Sequence, residues 1–175
     1  HPGERIVIHA VSYRLPKLIT EGIAAEIAKG TVKRRKIISY TSSAMREAAI
    51  ARYRRTEGAV IVAPSLDRGV DFKGDDCRVQ IIAKVPYPYL GDKQIKARMN
   101  LEDGQQWYTV RTIRDLVQMT GRGVRSETDY CTTYILDRGF GRLFDMNKRL
   151  IPAWWREAVN QRFNSRPLKA KLEVQ

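Results

Sequence analysis

Residues 63–72 combine side chains that bind hydroxyl and phosphate groups with a glycine. The segment reads Ala-Pro-Ser-Leu-Asp-Arg-Gly-Val-Asp-Phe and directly follows a run of apolar residues. Asp67 and Asp71 can hold a hydroxyl group, a ribose or a metal-bound water, and Ser65 adds a hydroxyl of its own. Gly69 permits a positive φ or the close approach of a ligand. The alternative interpretation is a polar surface loop, because loops are rich in such residues anyway.

A second segment, residues 118–125, carries two arginines three positions apart. It reads Gln-Met-Thr-Gly-Arg-Gly-Val-Arg and ends an amphipathic helical pattern. The guanidinium groups of Arg122 and Arg125 can each bind phosphate oxygens through two hydrogen bonds, and they do not lose their charge. On one turn they can clamp a phosphoryl group during its transfer. The alternative is an ordinary basic surface, on which Gly-Arg-Gly is common.

Short apolar runs alternate with helical patterns along the chain, and this order positions both segments. The runs predict strands at residues 6–11, 37–40, 59–63, 79–85 and 132–136. Helical spacing predicts one helix from about Pro16 to Gly30, a second after Thr41, and others at 92–99, 110–120, 139–149 and 152–163. Parallel strands with crossover helices explain the order best, which predicts an α/β fold with a doubly wound, mainly parallel sheet. Such sheets bind ligands beyond the carboxyl ends of their strands. The loops expected to carry chemistry are therefore those that follow Val11, Tyr40, Ala63, Val85 and Leu136.

Several side chains are better explained by packing than by chemistry. His9 lies within an apolar strand and is expected to be a satisfied core histidine. Trp154 and Trp155 are expected to anchor the last helix to the sheet. The basic run at residues 33–36 is expected to be a solvated turn. In the helix after Thr41, the predicted buried face comprises Met45, Ala48, Ala49 and Tyr53. The predicted outer face comprises Arg46, Arg52, Arg54 and Arg55.

The composition favours one globular domain with a polyanionic partner. The chain has 175 residues, with 32 Lys and Arg against 19 Asp and Glu, which gives a net charge of +13. This surplus favours DNA, RNA or an acidic surface. No apolar run approaches the ~18 residues of a membrane span, and no secretory signal is found. Because the first residue is His1 rather than Met, we expect a piece of a longer protein.

Cys77 and Cys131 are expected to be buried free thiols, with a disulfide as the alternative.

Taken in order, the motifs resemble the second RecA-like motor domain of superfamily 2 helicases, and most closely the XPD/DinG family of iron–sulphur DNA helicases. The resemblance spans about residues 4–158. The matching segments are 6–13 for motif IV, 65–72 for motif V, 118–125 for motif VI, the Pro-Tyr-Pro at 86–88, Asp129, Asp137, Arg138 and the closing segment 151–154. Motif V departs from the family, since Asp67-Arg68 stands where a glutamate usually precedes the glycine.

This resemblance implies a RecA-like domain over residues 1–163, followed by a basic, flexible tail over 164–175. It implies that Arg122 and Arg125 are arginine fingers, whose charge stabilises the transition state of phosphoryl transfer. Gln118 would bind the phosphates or the network around the nucleophilic water, and Asp137 would orient an arginine. The implied ATP-binding residues are Asp67, Gly69, Asp71, Gly121, Arg122 and Arg125.

The resemblance also implies a surface that holds single-stranded nucleic acid by its backbone. Hydroxyl groups and backbone amides at strand ends bind phosphates without reading sequence. The implied residues are Ser12, Tyr13, Arg14, Thr41, Ser42, Arg46 and Ser65. For Thr41 and Ser42 the alternative is helix capping, and for Tyr13 it is packing in the core.

These features together predict the second motor domain of an ATP-dependent DNA helicase, which in this family moves 5′ to 3′ on single-stranded DNA. ATP and Mg²⁺ would be shared with an N-terminal motor domain of the same parent, because the 175 residues contain no G-x-x-x-x-G-K-[ST] sequence. Any iron–sulphur cluster would also lie in that other domain. The fragment itself is expected to be inactive alone, monomeric and away from membranes, and cytoplasmic with the nucleoid if prokaryotic or viral. The alternatives are an RNA or nucleic-acid remodelling ATPase and a non-catalytic nucleic-acid-binding module; the pair Trp107-Tyr108 has no assigned role.

Overall fold

Five parallel strands form the centre of the molecule. The computed structural model describes residues 1, 3–12, 14–64, 70, 72, 74–124 and 129–159. Its strands are β1 (Ile6–His9), β2 (Ile37–Ser39), β3 (Val60–Ala63), β4 (Val79–Ile82) and β5 (Thr132–Ile135). They pair in the order β2-β3-β1-β4-β5, and every pairing is parallel. The predicted parallel sheet is therefore confirmed, and each predicted strand is present with a shorter span.

Within the described residues, six α-helices connect or follow these strands. They are α1 (Leu15–Ala28), α2 (Arg46–Arg55), α3 (Lys93–Met99), α4 (Gly104–Thr120), α5 (Gly139–Met146) and α6 (Ala153–Ala158). Pro16 lies in the first turn of α1, where its missing N–H costs nothing. Gly30 follows that helix with a φ of +74°, a conformation that glycine adopts without strain. Asp92 caps α3 by accepting hydrogen bonds from the backbone N–H groups of Gln94 and Ile95.

Helices cover both faces of the sheet. On one face, Leu15, Ile19 and Ile23 of α1 pack against β1 and β3. On the other face, α2 packs through Tyr53, and α4, α5 and α6 form a second cluster that contains Leu116, Phe144 and Trp155. The inner strand β3, between β2 and β1, is buried at every position, as a strand covered on both faces must be. The doubly wound architecture is confirmed.

The buried face of α2 differs from the prediction. Met45 is 52% exposed and Ala48 is also exposed, whereas Ala49, Ile50 and Tyr53 are buried. A 3₁₀ turn at Ser43–Met45 precedes the helix, so the α-helical period begins only at Arg46. Arg46 is half-buried rather than outside, because it stands at this junction.

The two adjacent tryptophans do not share a role. Trp155 is 6% exposed and packs against Phe140 and Phe144, which confirms the predicted anchor. Trp154 is 63% exposed, so its predicted anchoring is wrong. Neighbouring residues on a helix point about 100° apart, and in α6 Trp155 faces the packed cluster while Trp154 faces solvent.

The basic run at residues 33–36 lies before β2, at the amino end of that strand. Lys33, Arg34 and Lys36 are exposed, in agreement with a solvated turn. Arg35 is half-buried and donates a hydrogen bond to the backbone oxygen of Glu4 at 3.0 Å. Among the residues that the structure describes, no helix is both long and apolar enough to span a membrane.

Candidate functional site

The turn that carries Arg122 continues directly from α4. Ile113, Leu116 and Met119 bury one side of this helix, which leaves Gln118 exposed in its last turn. The helix ends at Thr120, and Gly121–Gly123 forms a 3₁₀ turn. Arg122 is half-buried, and its Nε atom lies below the surface. The side chain of Arg122 therefore emerges from a packed turn rather than from a freely solvated loop.

Gly123 fixes the position of this turn against the sheet. A Cβ atom at Gly123 would lie 2.4 Å from Sγ of Cys131 and 3.1 Å from the backbone oxygen of Cys77. Cys131 immediately precedes β5, and Cys77 lies two residues before β4, so the turn lies at the amino ends of the two strands. Because α4 runs back across the sheet before β5 begins, its C-terminus reaches this end. The turn of Arg122 therefore lies at the opposite end of the sheet from the loops that follow the strands.

The two cysteines lie side by side beneath the turn. Both are free thiols, as predicted, and their Sγ atoms are 3.8 Å apart. Cys77 is fully buried, whereas Cys131 is half-buried. The hydrogen bond from the Cys77 thiol lowers the pKa of Cys131, because it stabilises the thiolate. The same hydrogen bond, together with burial, raises the pKa of Cys77.

Among the described residues, four of those predicted to hold a nucleic-acid strand lie at the other end of the sheet. Ser12 and Arg14 follow β1, and Thr41 and Ser42 follow β2. Arg14, Thr41 and Ser42 are exposed. Parallel strands end at the same edge, so these loops share one surface. Between β1 and Ser12, Val11 has a φ of 61°, a strained conformation for a β-branched residue that turns the chain sharply at this edge.

Helix capping was the alternative for Thr41 and Ser42, but the hydroxyl that caps a helix here is that of Ser12. Ser42 makes no side-chain capping bond to the turn that follows it. Thr41 Oγ1 lies 3.8 Å from Sδ of Met45. Ser12 does act as a cap, since its Oγ accepts a hydrogen bond from the backbone N–H of Leu15 at 3.3 Å. The exposed hydroxyl of Ser42 therefore has no capping role that competes with ligand binding.

Asp137 links two backbone segments at the carboxyl end of β4 and β5. Its Oδ2 accepts from the N–H of Val85 at 2.9 Å, and its Oδ1 accepts from the N–H of Gly139 at 2.8 Å. In the described part of the chain its hydrogen-bond partners are these two amides. The arginine that the resemblance implies for Asp137 stays a prediction. Asp137 is six residues from Cys131 along an extended strand, roughly 20 Å at 3.3 Å per residue. It is thus far from the turn of Arg122, which lies beside Cys131.

The aromatic pair Trp107-Tyr108 now has a structural role. Tyr108 stacks on Tyr87 with ring centroids 5.9 Å apart, and its hydroxyl donates to the backbone oxygen of Pro88 at 2.8 Å. The guanidinium of Arg98 lies 5.3 Å from the ring centre of Trp107. The first turn of α4 therefore holds the loop after β4 and the end of α3.

Several predicted site residues lie outside the described part of the chain. They are Tyr13, Ser65, Asp67, Gly69, Asp71 and Arg125, together with the predicted tail at 164–175. The described part of the site comprises Gln118, Gly121 and Arg122 at one end of the sheet and the loops after β1 and β2 at the other end.

Sequence comparison decides the family. The chain matches the family described as helicase C-terminal domain over residues 1–158. It belongs to this family. The helicase C-terminal domain is 26% identical over 123 residues to the Fanconi anemia group J protein homolog of Gallus gallus, covering 62% of the chain and 10% of that protein. It is 23% identical over 153 residues to a regulator of telomere elongation helicase 1 homolog of Caenorhabditis briggsae, covering 74% and 15%.

The fold agrees with this assignment. The solved structure of S. tokodaii Xpd4 aligns with the helicase C-terminal domain with a TM-score of 0.53 and 15% identity, over 87% of this chain and 30% of that one. The RecA-like architecture and the resemblance to XPD/DinG helicases are confirmed. The chain spans only 10–15% of the length of these two curated relatives.

Proposed function

We propose that this helicase C-terminal domain is the second motor domain of an ATP-dependent DNA helicase that moves 5′ to 3′ on single-stranded DNA. The observation that carries the proposal is the half-buried Arg122 on a turn that Gly123 holds against the sheet. A guanidinium so fixed can meet a phosphoryl group without first being ordered, which is what transition-state stabilisation requires.

In this proposal, Arg122 and Arg125 face ATP that is bound mainly by another motor domain of the same protein. Mg²⁺, the phosphate loop and any iron–sulphur cluster belong to that other domain. Arg122 stabilises the charge that develops on the transferred phosphoryl group, and Gln118 hydrogen-bonds the phosphates or the attacking water. The side chain of Gln118 is exposed one turn before Arg122, so both can face the same ligand.

The strand-binding surface lies at the carboxyl edge of the sheet. The exposed hydroxyls of Thr41 and Ser42 and the charge of Arg14 contact phosphates there. Such contacts hold a strand without reading its sequence, as a translocating motor requires. ATP at the turn of Arg122 and nucleic acid at the loops after β1 and β2 thus meet opposite ends of the sheet. The sheet between them transmits the change in domain closure that follows hydrolysis.

The full-length protein should hydrolyse ATP, and the measurement is the turnover rate with single-stranded DNA, with single-stranded RNA and with neither. Strong stimulation by DNA alone supports the proposal. Equal stimulation by RNA would favour a nucleic-acid remodelling ATPase instead. Absence of hydrolysis under all three conditions would overturn the motor function and leave a binding module. The 175-residue chain alone, assayed in parallel, should show no turnover and should elute as a monomer.

A further inference from the structure

Gln80 is a fully buried amide in the middle of an apolar strand. It occupies the second position of β4, between Val79 and Ile81, and is 0% exposed. A buried amide without partners costs about 1–3 kcal/mol, so its partners identify what it holds. Its side chain points to the face of the sheet that α4 covers, the same face as Ile82.

Three elements meet at this side chain. The Nε2 group of Gln80 donates to the backbone oxygen of Thr120 at 2.7 Å and to Oγ1 of Thr133 at 2.7 Å. Its Oε1 lies 3.2 Å from Nε2 of His9. A carbonyl oxygen can only accept, so the amide nitrogen must face Thr120. The amide oxygen therefore faces His9, and His9 Nε2 carries the hydrogen.

The contact with Thr120 lies two residues before Arg122. Thr120 is the last residue of α4, and its carbonyl is one of those that the helix leaves without an internal partner. Gln80 supplies that partner from the sheet. The side chain of Thr120 is held as well, because its Oγ1 accepts from the indole N–H of Trp155 at 2.7 Å and donates to the carbonyl of Val117 at 2.9 Å.

The turn of Arg122 is thus fixed at both ends. Gln80 and Trp155 hold it at Thr120, and the cysteines hold it at Gly123. We propose that Gln80 is a positioning residue for Arg122, which it places by holding the carbonyl of Thr120. This inference rests on the proposed role of Arg122 in phosphoryl transfer. Gln80 touches neither ATP nor nucleic acid and acts only through the turn.

The test is a double-mutant cycle in the full-length protein. Gln80→Met keeps the length of the side chain and removes both donors, together with the oxygen that accepts from His9. A displacement of about 1 Å can cost about 10²-fold in rate, so kcat for ATP should fall by about that factor. KM for ATP and the affinity for single-stranded DNA should stay within about twofold of the wild type. Thr133→Val is the matched control, since it removes the other acceptor of the same amide and leaves the bond to Thr120.

The decisive reading is the effect of Gln80→Met in an Arg122→Ala background. If Gln80 acts through Arg122, it lowers kcat no further there. An equal loss in both backgrounds, or an equal loss in Thr133→Val, would show a general structural role and overturn the inference. If Arg122→Ala alone leaves kcat unchanged, the proposed function fails; if only Gln80→Met is silent, the inference alone fails.

A second variant covers the case in which Gln80→Met does not fold. Trp155→Phe keeps a buried ring and removes only the donor to Thr120 Oγ1. It should lower kcat in the wild-type background and not in Arg122→Ala. Additive losses would overturn the positioning of Arg122 through Thr120.

Discussion

A Cβ atom on Gly123 would lie 2.4 Å from Sγ of Cys131, whereas a Cβ atom on Gly121 would meet nothing within 4 Å. The two glycines begin and end the same 3₁₀ turn. What distinguishes them is therefore the packing around each residue. Only Gly123 is buried. The close approach of the turn to the amino ends of β4 and β5 therefore depends on the second glycine.

Gly123→Ala should destabilise the chain, and Gly121→Ala should not. The added methyl at Gly123 collides with Cys131, and such overpacking costs about 1–3 kcal/mol in the free energy of unfolding. Gly121 has a φ of −74°, which alanine adopts easily, so its substitution should be neutral or stabilising by up to about 1 kcal/mol. Urea unfolding of the two purified variants makes the comparison. Equal midpoints would contradict the close packing at Gly123.

Arg122→Ala should reduce ATP turnover of the full-length protein by about 10³-fold or more, because it removes the charge that we propose stabilises phosphoryl transfer. Affinity for single-stranded DNA should stay nearly unchanged, since the loops proposed to bind the strand lie at the other end of the sheet. Arg114→Ala is the matched control: Arg114 is an exposed arginine of α4, the helix that precedes the turn of Arg122. Steady-state kinetics and fluorescence anisotropy measure the two quantities. If Arg122→Ala turns over ATP as fast as Arg114→Ala, Arg122 is not an arginine finger. The same measurement on Arg125→Ala tests the second arginine.

The architecture could be predicted from the sequence because its three inner strands, β3, β1 and β4, are buried on both faces. Continuous apolar runs such as residues 60–63 have one simple explanation, and the helices between them require parallel pairing. The order of the motifs then predicted the family. The exact strand ends were less predictable, since apolar residues such as Val85 continue into the buried loops beyond them.

The site was harder to predict, for reasons visible in particular residues. Gln80 is a single polar residue in an apolar run, which signals that it has buried partners. Those partners are 40, 53 and 71 residues away, and no local pattern identifies them. The rule that parallel sheets bind ligands beyond the carboxyl ends of their strands applies to loops that follow strands. Arg122 instead follows a crossover helix, so the rule does not locate it. Asp137 resembled a motif aspartate, yet its carboxylate meets backbone amides that have no sequence signature.

Arg14→Ala should weaken binding of single-stranded DNA and reduce its dependence on salt. Each phosphate contact releases counterions and contributes about 0.7 to the slope of log affinity against log salt for a single strand. Loss of one contact should therefore lower that slope by about 0.7. Arg34→Ala, which removes an exposed arginine at the amino end of β2, should leave the slope unchanged. Anisotropy titrations at several salt concentrations measure both. Equal slopes for the two variants would indicate that the net charge of +13, and not a surface at the carboxyl edge, attracts the strand.

The cysteine pair predicts a pH dependence that reports on the packing beneath Arg122. The thiolate is the form that reacts with iodoacetamide, and the pKa of Cys131 is lowered by the hydrogen bond from Cys77. Labelling of Cys131 should therefore reach half its maximal rate at a pH below the ordinary thiol value of about 8.5. Cys77 should stay unlabelled in the folded chain, because it is buried and its pKa is raised. Removing the donor in Cys77→Ala should move the Cys131 midpoint to higher pH, whereas Cys77→Ser, which keeps a hydroxyl donor, should move it less. Mass spectrometry of the labelled chain gives the rates. A midpoint that stays in place in Cys77→Ala would show that the thiol of Cys77 does not stabilise the thiolate beside Gly123.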